Sequence, residues 1–492
     1  MAAAERTRWM ILLTVIVGTF LGRLDQTIVN LALPKIINEF GITVSSAGWI
    51  ATAYILANAV FVPIWGKLGD TIGRKKVYIL GFSIFIVGSV LAGFAWNLPS
   101  MIVFRVIQAI AGSADYPTAM AILAVTFPPG KERAQALGIW SSSFAAAAVF
   151  GPLIGGPLID LFNWRSVFLI NLPVGILGLV MALTYVKESV SEKKTVNFDW
   201  WGALTLGGSL ASLVLVLDKG LEWGWLSTNS FIAYGATVFF AVVFGVIEYY
   251  HPEPIINFKY FTNRVFTLNL LNNFVVFMGM MGSIFLVPVF AQTFLGFDAT
   301  QTGYLFMPMA FAMMLGAPLG GRLIGRVEPR YVIFASTIVA ALGIYLYGFL
   351  DPRTTALDLM YPLFVMAFGM GFGMAQRTNI VAVSVPEAEI GVASSILALA
   401  RNIAGAFGIA IFGTILNNSI EGSVLSISQN SSIHSTNPYI FAQGISLVTL
   451  KAQINGYNTV FFVAALVVFI GAFSSLLIKT EKTAGSKAVH VE

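Results

Sequence analysis

The chain has no cysteine, which excludes disulfides, thiolate metal sites and a cysteine nucleophile. Its three histidines, His251, His434 and His490, each fall near a span end or in a loop, so no histidine-rich metal or catalytic centre is expected. Charge is also scarce: acidic and basic residues make up 10% of 492, where a soluble globular chain carries about 25%. No Walker A pattern occurs. The glycine run Gly369-Met370-Gly371-Phe372-Gly373 lies inside an apolar stretch with no strand before it, so it does not read as a nucleotide loop. ATP is thereby set aside as an energy source, and no cofactor and no metal are expected. The net charge of +5 needs no nucleic-acid partner to explain it.

Hydrophobic residues, by contrast, make up 57% of the chain, and its mean hydropathy is +0.83. The apolar runs are long, unlike the ~10-residue alternating segments of an outer-membrane barrel, and this predicts an all-α membrane protein. Fourteen spans are expected, at about 9–33, 46–65, 77–96, 98–125, 136–160, 165–186, 199–217, 229–250, 265–291, 300–320, 331–350, 358–383, 390–415 and 457–479. With the N-terminus inside, 19 basic residues fall in cytoplasmic segments and 5 in outer loops, which places both termini in the cytoplasm of a multi-pass cell-membrane protein. The first run carries Arg23 and Asp25, is too long for a cleavable signal peptide and has no small-residue cleavage site after it.

Two connections stand out. Residues 187–198 form the most charged stretch between spans, with Lys193 and Lys194 among them. Residues 416–456 read as the longest outer loop, rich in Ser and Asn, with N-x-[ST] patterns at Asn417 and Asn430 that matter only in a secretory pathway. A weak repeat is also present. Pro63-Ile64-Trp65-Gly66-Lys67-Leu68 and Pro318-Leu319-Gly320-Gly321-Arg322-Leu323 share P-x-x-G-[KR]-L at the inner ends of the second and tenth spans. Two six-helix halves, 9–186 and 258–480, joined by a linker at 187–257 with two extra transmembrane helices, is the simplest organisation.

The loop Gly66-Lys67-Leu68-Gly69-Asp70-Thr71-Ile72-Gly73-Arg74-Lys75-Lys76 combines glycines for a tight turn with Asp70, which can reach a helix N-terminus or an arginine. This G-x-x-x-D-x-x-G-R-[KR]-[KR] pattern resembles motif A of the major facilitator superfamily. Three further stretches resemble the fourteen-span drug/proton antiporters of that superfamily. They are Leu24-Asp25-Gln26-Thr27-Ile28-Val29-Asn30-Leu31-Ala32-Leu33-Pro34, the antiporter motif at Gly151-Pro152-Leu153-Ile154-Gly155-Gly156-Pro157, and residues 163–175 from Asn163-Trp164-Arg165 to Val174-Gly175. The resemblance covers nearly the whole chain and implies the major facilitator fold, alternating access and a transporter rather than an enzyme. It implies a gating role for Gly66, Gly69, Asp70, Gly73, Arg74 and Lys75, and for the glycines with Pro152 and Pro157 a bend that seals against proton leak. The departures are Ala109, where glycine is usual after Arg105-Val106-Ile107-Gln108, Asp115, where small apolar residues are common, and Gly325 at the position matching Asp70. No carboxylate lies well inside a span after residue 250.

An ionisable residue at bilayer depth is a functional hypothesis by default. Asp25 and Arg105 fall at about the same depth, eight and seven residues from the outer ends of their spans, and can pair. Asp115 lies roughly 15 Å further along the Arg105 helix with no basic partner expected at its level. It is the candidate for reversible protonation, with a solvated residue at the cavity mouth as the alternative, and Asp25 is either a proton carrier or a structural ion pair. Gln108 joins Arg105 as a charge partner. Arg23, two residues from Asp25, faces another side of its helix; it is a candidate charge partner or substrate contact, with snorkelling or a lipid phosphate as the other reading. Arg401 either lines the cavity or pairs across the two halves, and Arg377 is expected to snorkel.

The expected function is a proton-coupled exporter of amphipathic, preferentially cationic, drug-like compounds, with one chain as the transport unit in contact with membrane lipids. An anionic or zwitterionic metabolite or lipid is the alternative substrate. The topology is directly testable, because single cysteines can be introduced into a chain that has none. In intact cells Lys75→Cys should resist an impermeant thiol reagent added outside and react after permeabilisation; labelling from outside would invert the orientation.

Overall fold

The structure, a computed structural model, describes residues 2–42, 44–128, 130–189, 199–252, 254–297, 299–351, 353–386, 389–430 and 438–478. Lys193 and Lys194, most of the charged connection 187–198, and the basic residues Lys479, Lys482 and Lys487 lie outside the described residues. The regular structure of the described residues is helical throughout. In chain order the helices are α1 (Ala2–Phe40), α2 (Val44–Ile72), α3 (Arg74–Gly93), α4 (Leu98–Gly112), α5 (Asp115–Thr126), α6 (Lys131–Leu161), α7 (Ser166–Leu169), α8 (Asn171–Tyr185), α9 (Trp200–Trp223), α10 (Thr228–Tyr250), α11 (Lys259–Thr262), α12 (Arg264–Phe294), α13 (Ala299–Tyr304), α14 (Met307–Arg322), α15 (Pro329–Leu346), α16 (Ala356–Val383), α17 (Ile390–Asn430) and α18 (Pro438–Leu476). A 3-10 turn follows α15 at Tyr347–Phe349.

Long apolar runs become helices because a lipid-embedded backbone has no water to satisfy its N–H and C=O groups. Where a run breaks, proline explains the position. The segments 98–125, 165–186 and 300–320 are each read from sequence as one span, yet each is divided, between α4 and α5, α7 and α8, and α13 and α14. Pro117, Pro173 and Pro308 lack the N–H that would bond to Ser113, Leu169 and Tyr304, four residues earlier, where each break occurs. Pro63, Pro288, Pro318 and Pro362 sit inside unbroken helices, and α6 runs uninterrupted through residues 152 and 157.

The segment 416–456, expected as a loop, is helical wherever it is described, since α17 extends to Asn430 and α18 starts at Pro438. The ends of these helices support each other: a Cβ on Gly456 would sit 2.8 Å from Ile420 and 3.2 Å from Leu416. Residues 431–437 lie outside the described residues.

Among the described residues, twelve helical segments are long and apolar enough to cross a membrane. The two expected spans that are not among them are the broken pair α4–α5 and the helix α6. Helices before residue 190 pack mainly on one another, with α1 against α6 and α8 and α3 against α4. Helices after 258 do the same, with α14 and α15 against α16 and α12 against α17 and α18. The two groups meet where α17 packs on α2 and α5, and where α14 and α16 pack on α6. The α9–α10 hairpin lies outside both groups, and α9 touches both α2 and α17.

Small residues let the helices approach closely. In α14, a Cβ on Gly316 would lie 2.8 Å from the carbonyl oxygen of Phe368, and one on Gly320 would overlap that of Phe372 at 1.7 Å. Neither obstacle is a side chain that can swing away. Gly320→Leu should therefore separate α14 from α16 and lower the unfolding temperature in detergent by several degrees, an overpacking cost of about 1–3 kcal/mol. Gly235→Leu on α10, with nothing within 4 Å of its Cβ, serves as the control and should leave the melting curve in place.

Candidate functional site

Three buried polar centres line up through the helix bundle. The first joins α1, α3, α4 and α8. Arg105 Nη1 donates to Asp25 Oδ2 at 2.6 Å and to Gln108 Oε1 at 2.7 Å, while Gln108 Nε2 donates to Asp25 Oδ1 at 2.9 Å. Asn171 Nδ2 also reaches Asp25 Oδ1 at 2.9 Å and Ser89 Oγ at 2.8 Å. The guanidinium lies 4.2 Å from the Tyr54 ring centroid. Asp25, Gln108, Asn171 and Ser89 are all 0% exposed. Three donors, one of them a guanidinium, thus converge on one buried carboxylate, and this cluster ties four helices together.

Asn171 belongs to the 163–175 stretch, and the structure gives that stretch a physical role. Trp164 Nε1 and Arg165 Nη1 both donate to Glu39, at 2.6 and 2.7 Å, which pins the α6–α7 turn to the end of α1. The Trp164 hydrogen bond, with Arg165 adding to it against partial burial, holds the Glu39 carboxyl below the usual carboxylate range.

The second centre is Asp115, placed at the start of α5 by the break before Pro117. Thr19 Oγ1 donates to its Oδ2 at 2.8 Å and itself accepts from Trp140 Nε1 at 2.9 Å. The other carboxylate oxygen, Oδ1, is buried with no hydrogen-bond partner. Asp115 borders two small cavities, one of them between the helix groups and lined by Arg23, Gln26, Tyr54, Asn58, Asp115 and Asn402. Each has room for about one or two water molecules rather than a drug-sized ligand. Arg23 lines the cavity between the helix groups beside Tyr116 and Asn402 and donates to Gln26 Oε1 at 3.1 Å, the placement of a cavity charge rather than of a snorkelling one. Asp115 consequently shares its cavity with a basic residue from a different helix, which spacing along α4–α5 alone does not show.

Across the same interface, Arg401 of α17 donates through Nη1 to Tyr116 Oη at 2.7 Å and through Nε to Asn273 Oδ1 at 3.0 Å. Asn402 Nδ2 donates to Asn58 Oδ1 at 3.3 Å. Arg377 does not snorkel. It is 2% exposed and donates to Asn272 Oδ1 at 2.9 Å, Thr337 Oγ1 at 2.7 Å and Ser336 Oγ at 3.3 Å, in space left open by Gly373 one turn earlier.

The third centre is the 66–76 stretch, expected as a loop but helical in the structure through Ile72 in α2 and again from Arg74 in α3, with Gly73 alone making the turn. Asp70 Oδ1 accepts from Arg74 Nε and Nη2 at 3.1 and 2.9 Å, and Asp70 Oδ2 accepts from the backbone N–H of Val392 at 3.0 Å. That N–H belongs to the first turn of α17, so the carboxylate caps the positive end of a helix in the other group. Glycines make the approach possible. A Cβ on Gly66 would lie 2.7 Å from the carbonyl oxygen of Gly391, and one on Gly69 3.2 Å from Thr118. Gly73 has φ +117 and lies against Glu188, whose Oε1 accepts from the Lys75 N–H at 3.1 Å. Lys75 Nζ donates to the Leu183 carbonyl at 2.9 Å. The matching Gly325 in the second copy has no carboxylate to offer.

In the stretch 151–157, a Cβ on Gly151 would meet Thr27 Oγ1 at 2.2 Å and one on Gly155 would meet Ile28 at 2.4 Å, so these two glycines seat α6 on α1. Gly156 has nothing within 4 Å and contributes no such contact. Pro157 is exposed, and the side chain of Pro152 lies outside the described residues. Thr19, Ser89, Trp140, Asn171, Asn273 and Tyr116 are site residues that spacing and charge did not single out. Their signal is polarity inside an apolar run, shared with many residues that merely join helices.

A family model described as the Major Facilitator Superfamily matches residues 15–409. The chain is 32% identical over 496 residues to the multidrug transporter protein MdtP of Bacillus subtilis, covering 99% of this chain and 90% of that one. It is 31% identical over 412 residues to the multidrug resistance protein Stp of Mycobacterium tuberculosis, covering 84% and 76%. Among solved structures, the human organic anion transporter MFSD10 (TETRAN) superposes with a TM-score of 0.62 at 14% identity, over 94% of this chain and 99% of that one.

The Asp70 contact makes a direct prediction. Asp70→Asn removes the charge from the bond to the α17 N-terminus, a charge-assisted interaction of about 1.5–3 kcal/mol. Ser395→Cys, buried beside Gly66, should then react with a thiol reagent at least about tenfold faster than with Asp70 intact. An unchanged rate would show that the carboxylate does not hold the two helix groups together.

Proposed function

The chain belongs to the major facilitator superfamily and is a multi-pass membrane transporter, not an enzyme, and from that premise we propose that it exports amphipathic drug-like compounds in exchange for protons. The two relatives described above carry names of multidrug transport and resistance. The observation that carries the coupling is the unlike environment of two buried carboxylates. Asp25 is saturated by Arg105, Gln108 and Asn171, whereas Asp115 takes a hydrogen bond from Thr19, borders the interface cavity and has Oδ1 unpartnered on the side of Gly18. A group that must take up and release a proton, or yield to a cationic substrate, needs a free lone pair and a place beside the cavity; Asp115 has an unpartnered oxygen and borders the small cavity between the helix groups. Asp25 acts as the structural ion pair.

The two six-helix halves, 9–186 and 258–480, rock about the Asp115 cavity, with 187–257 carrying the inserted α9–α10 pair. The broken helix α4–α5 and the helix α6 complete fourteen crossings, and the 66–76 loop closes the cytoplasmic side. Proton and substrate drive transport by biasing the same two-state equilibrium. One chain encloses the whole path, so the monomer is the transport unit.

Proteoliposomes with an imposed pH gradient test the coupling. Asp115→Asn should lower gradient-driven extrusion at least about tenfold and leave substrate counterflow, because a fixed neutral group can support exchange but cannot return a proton. Asp25→Asn should impair both, since Arg105 would be left buried without its counter-charge. The opposite pattern, with Asp115→Asn extruding normally and Asp25→Asn limited to counterflow, would make Asp25 the carrier.

A further inference from the structure

Arg401 is unlike the other buried charges of the site. Asp25 answers Arg105 and Asp70 answers Arg74, but every described contact of Arg401 is neutral. These contacts are the Asn273 amide, the Tyr116 phenol and the rings of Phe277 and Tyr116, with centroids 4.8 and 5.5 Å from the guanidinium carbon. Two donors at this place have no acceptor, Arg401 Nη2 and Asn273 Nδ2. The second is not an ambiguity of amide orientation. Arg401 Nε can only donate, so Asn273 must turn its oxygen to it and is left with its NH2 group unsatisfied. A 7%-exposed guanidinium and a fully buried amide thus present adjacent donors with nothing to receive them.

Arg377 makes the contrast. It too has neutral partners, but they come from α12 and α15 within its own helix group, and none of its nitrogens is orphaned. The Arg401–Tyr116 bond instead joins α17 to α5, across the surface along which the groups separate. Separation costs Arg401 its phenol acceptor and opens it to the cavity. Tyr116 directly follows Asp115 in the chain, so the tyrosine that accepts from Arg401 is the immediate neighbour of the carboxylate with the orphaned oxygen.

We propose that Arg401 and Asn273 form an anion-binding subsite of the transport cavity, and that the preferred substrates are amphipathic zwitterions and carboxylic acids. The substrate's acid group replaces Tyr116 on Arg401 and takes the Asn273 N–H, while a cationic group lies toward Asp115. This rests on the exporter reading of the cavity and refines its substrate class. Recognition is by charge-assisted hydrogen bonds, which reject the neutral ester of the same molecule because the ester leaves the guanidinium without a counter-charge.

A matched pair of xanthene dyes tests this: one with its free carboxylic acid, zwitterionic at pH 7.5, the other its ethyl ester, a cation of nearly the same shape. Binding to purified protein in detergent, read by dye fluorescence anisotropy, and transport in proteoliposomes are measured for both. The intact chain should bind the acid at least about tenfold more tightly than the ester. Arg401→Gln should bring the ratio of the two dissociation constants close to one. Asn273→Asp supplies an internal counter-charge while preserving the acceptor for Arg401 Nε, so it keeps the helix contact and should collapse the same ratio. A ratio near one in the intact chain, or a preference that survives both substitutions, overturns the subsite. If neither dye moves under a pH gradient, the coupled-exporter reading fails, yet the binding ratio in detergent still decides the subsite.

Discussion

A charge inside a bilayer-spanning bundle has to find its partner within the protein, since neither water nor free ions are at hand. That constraint organises the molecule. Asp25 and Arg105 neutralise one another, and Gln108, Asn171 and Ser89 add the further hydrogen bonds of the cluster, which holds α1, α3, α4 and α8 in one arrangement even though Arg105 Nε and Asn171 Oδ1 have no partner. The helices so fixed carry Thr19 and Arg23 on α1, and through α4 the short turn that delivers Asp115 to the interface. A rigid ion pair on one side of the cavity therefore sets the geometry of the less satisfied carboxylate on the other.

Between the helix groups, apolar packing of α17 on α2 and α5 is interspersed with single polar contacts. Asp70 to Val392, Asn402 to Asn58 and Arg401 to Tyr116 are individual hydrogen bonds. Glycines let backbones meet within each group, as Gly320 meets Phe372 and Gly343 meets Met366, and between the groups, as Gly66 meets Gly391 and Gly138 meets Ala317. Close-packed interfaces of that sort transmit a rotation without repacking. The inserted pair adds a tether: Thr52 donates to Asp218 at 2.9 Å, Trp225 to Thr414 at 2.8 Å and Lys67 to the Pro254 carbonyl at 3.1 Å, so the insert holds on to both α2 and α17.

Much of this was legible in the sequence where one residue type has one physical use. Runs of apolar residues marked the helices, and the acid and glycines of the 66–76 loop pointed to a helix N-terminus or an arginine; Asp70 reaches both. Equal depth brought Asp25 and Arg105 together. What spacing along one helix does not contain is the rotation of one helix against another, which turned Arg23 into the cavity and buried Arg377. The helix breaks were written in Pro117, Pro173 and Pro308, but Pro63, Pro288, Pro318 and Pro362 lie in helices that continue, so the same signal points both ways. The Ser and Asn content of 416–456 suggested a loop, and only the tertiary contacts among Leu416, Ile420 and Gly456 show why helices persist there.

The clasp at Asp70 exists in one copy of the repeat only; its counterpart in the other copy is Gly325, in a left-handed conformation with φ +78 and nothing near its Cβ. The two-fold resemblance between the repeats is thus broken at a place where a carboxylate bridges the helix groups. A machine with identical fastenings at both mouths would idle equally in either posture. With the carboxylate fastening at one mouth only, the posture closed at that mouth is the more populated of the two. Passage either way still crosses the same highest barrier, so the imbalance shows in where the protein waits and not in which way cargo flows when the gradients are level.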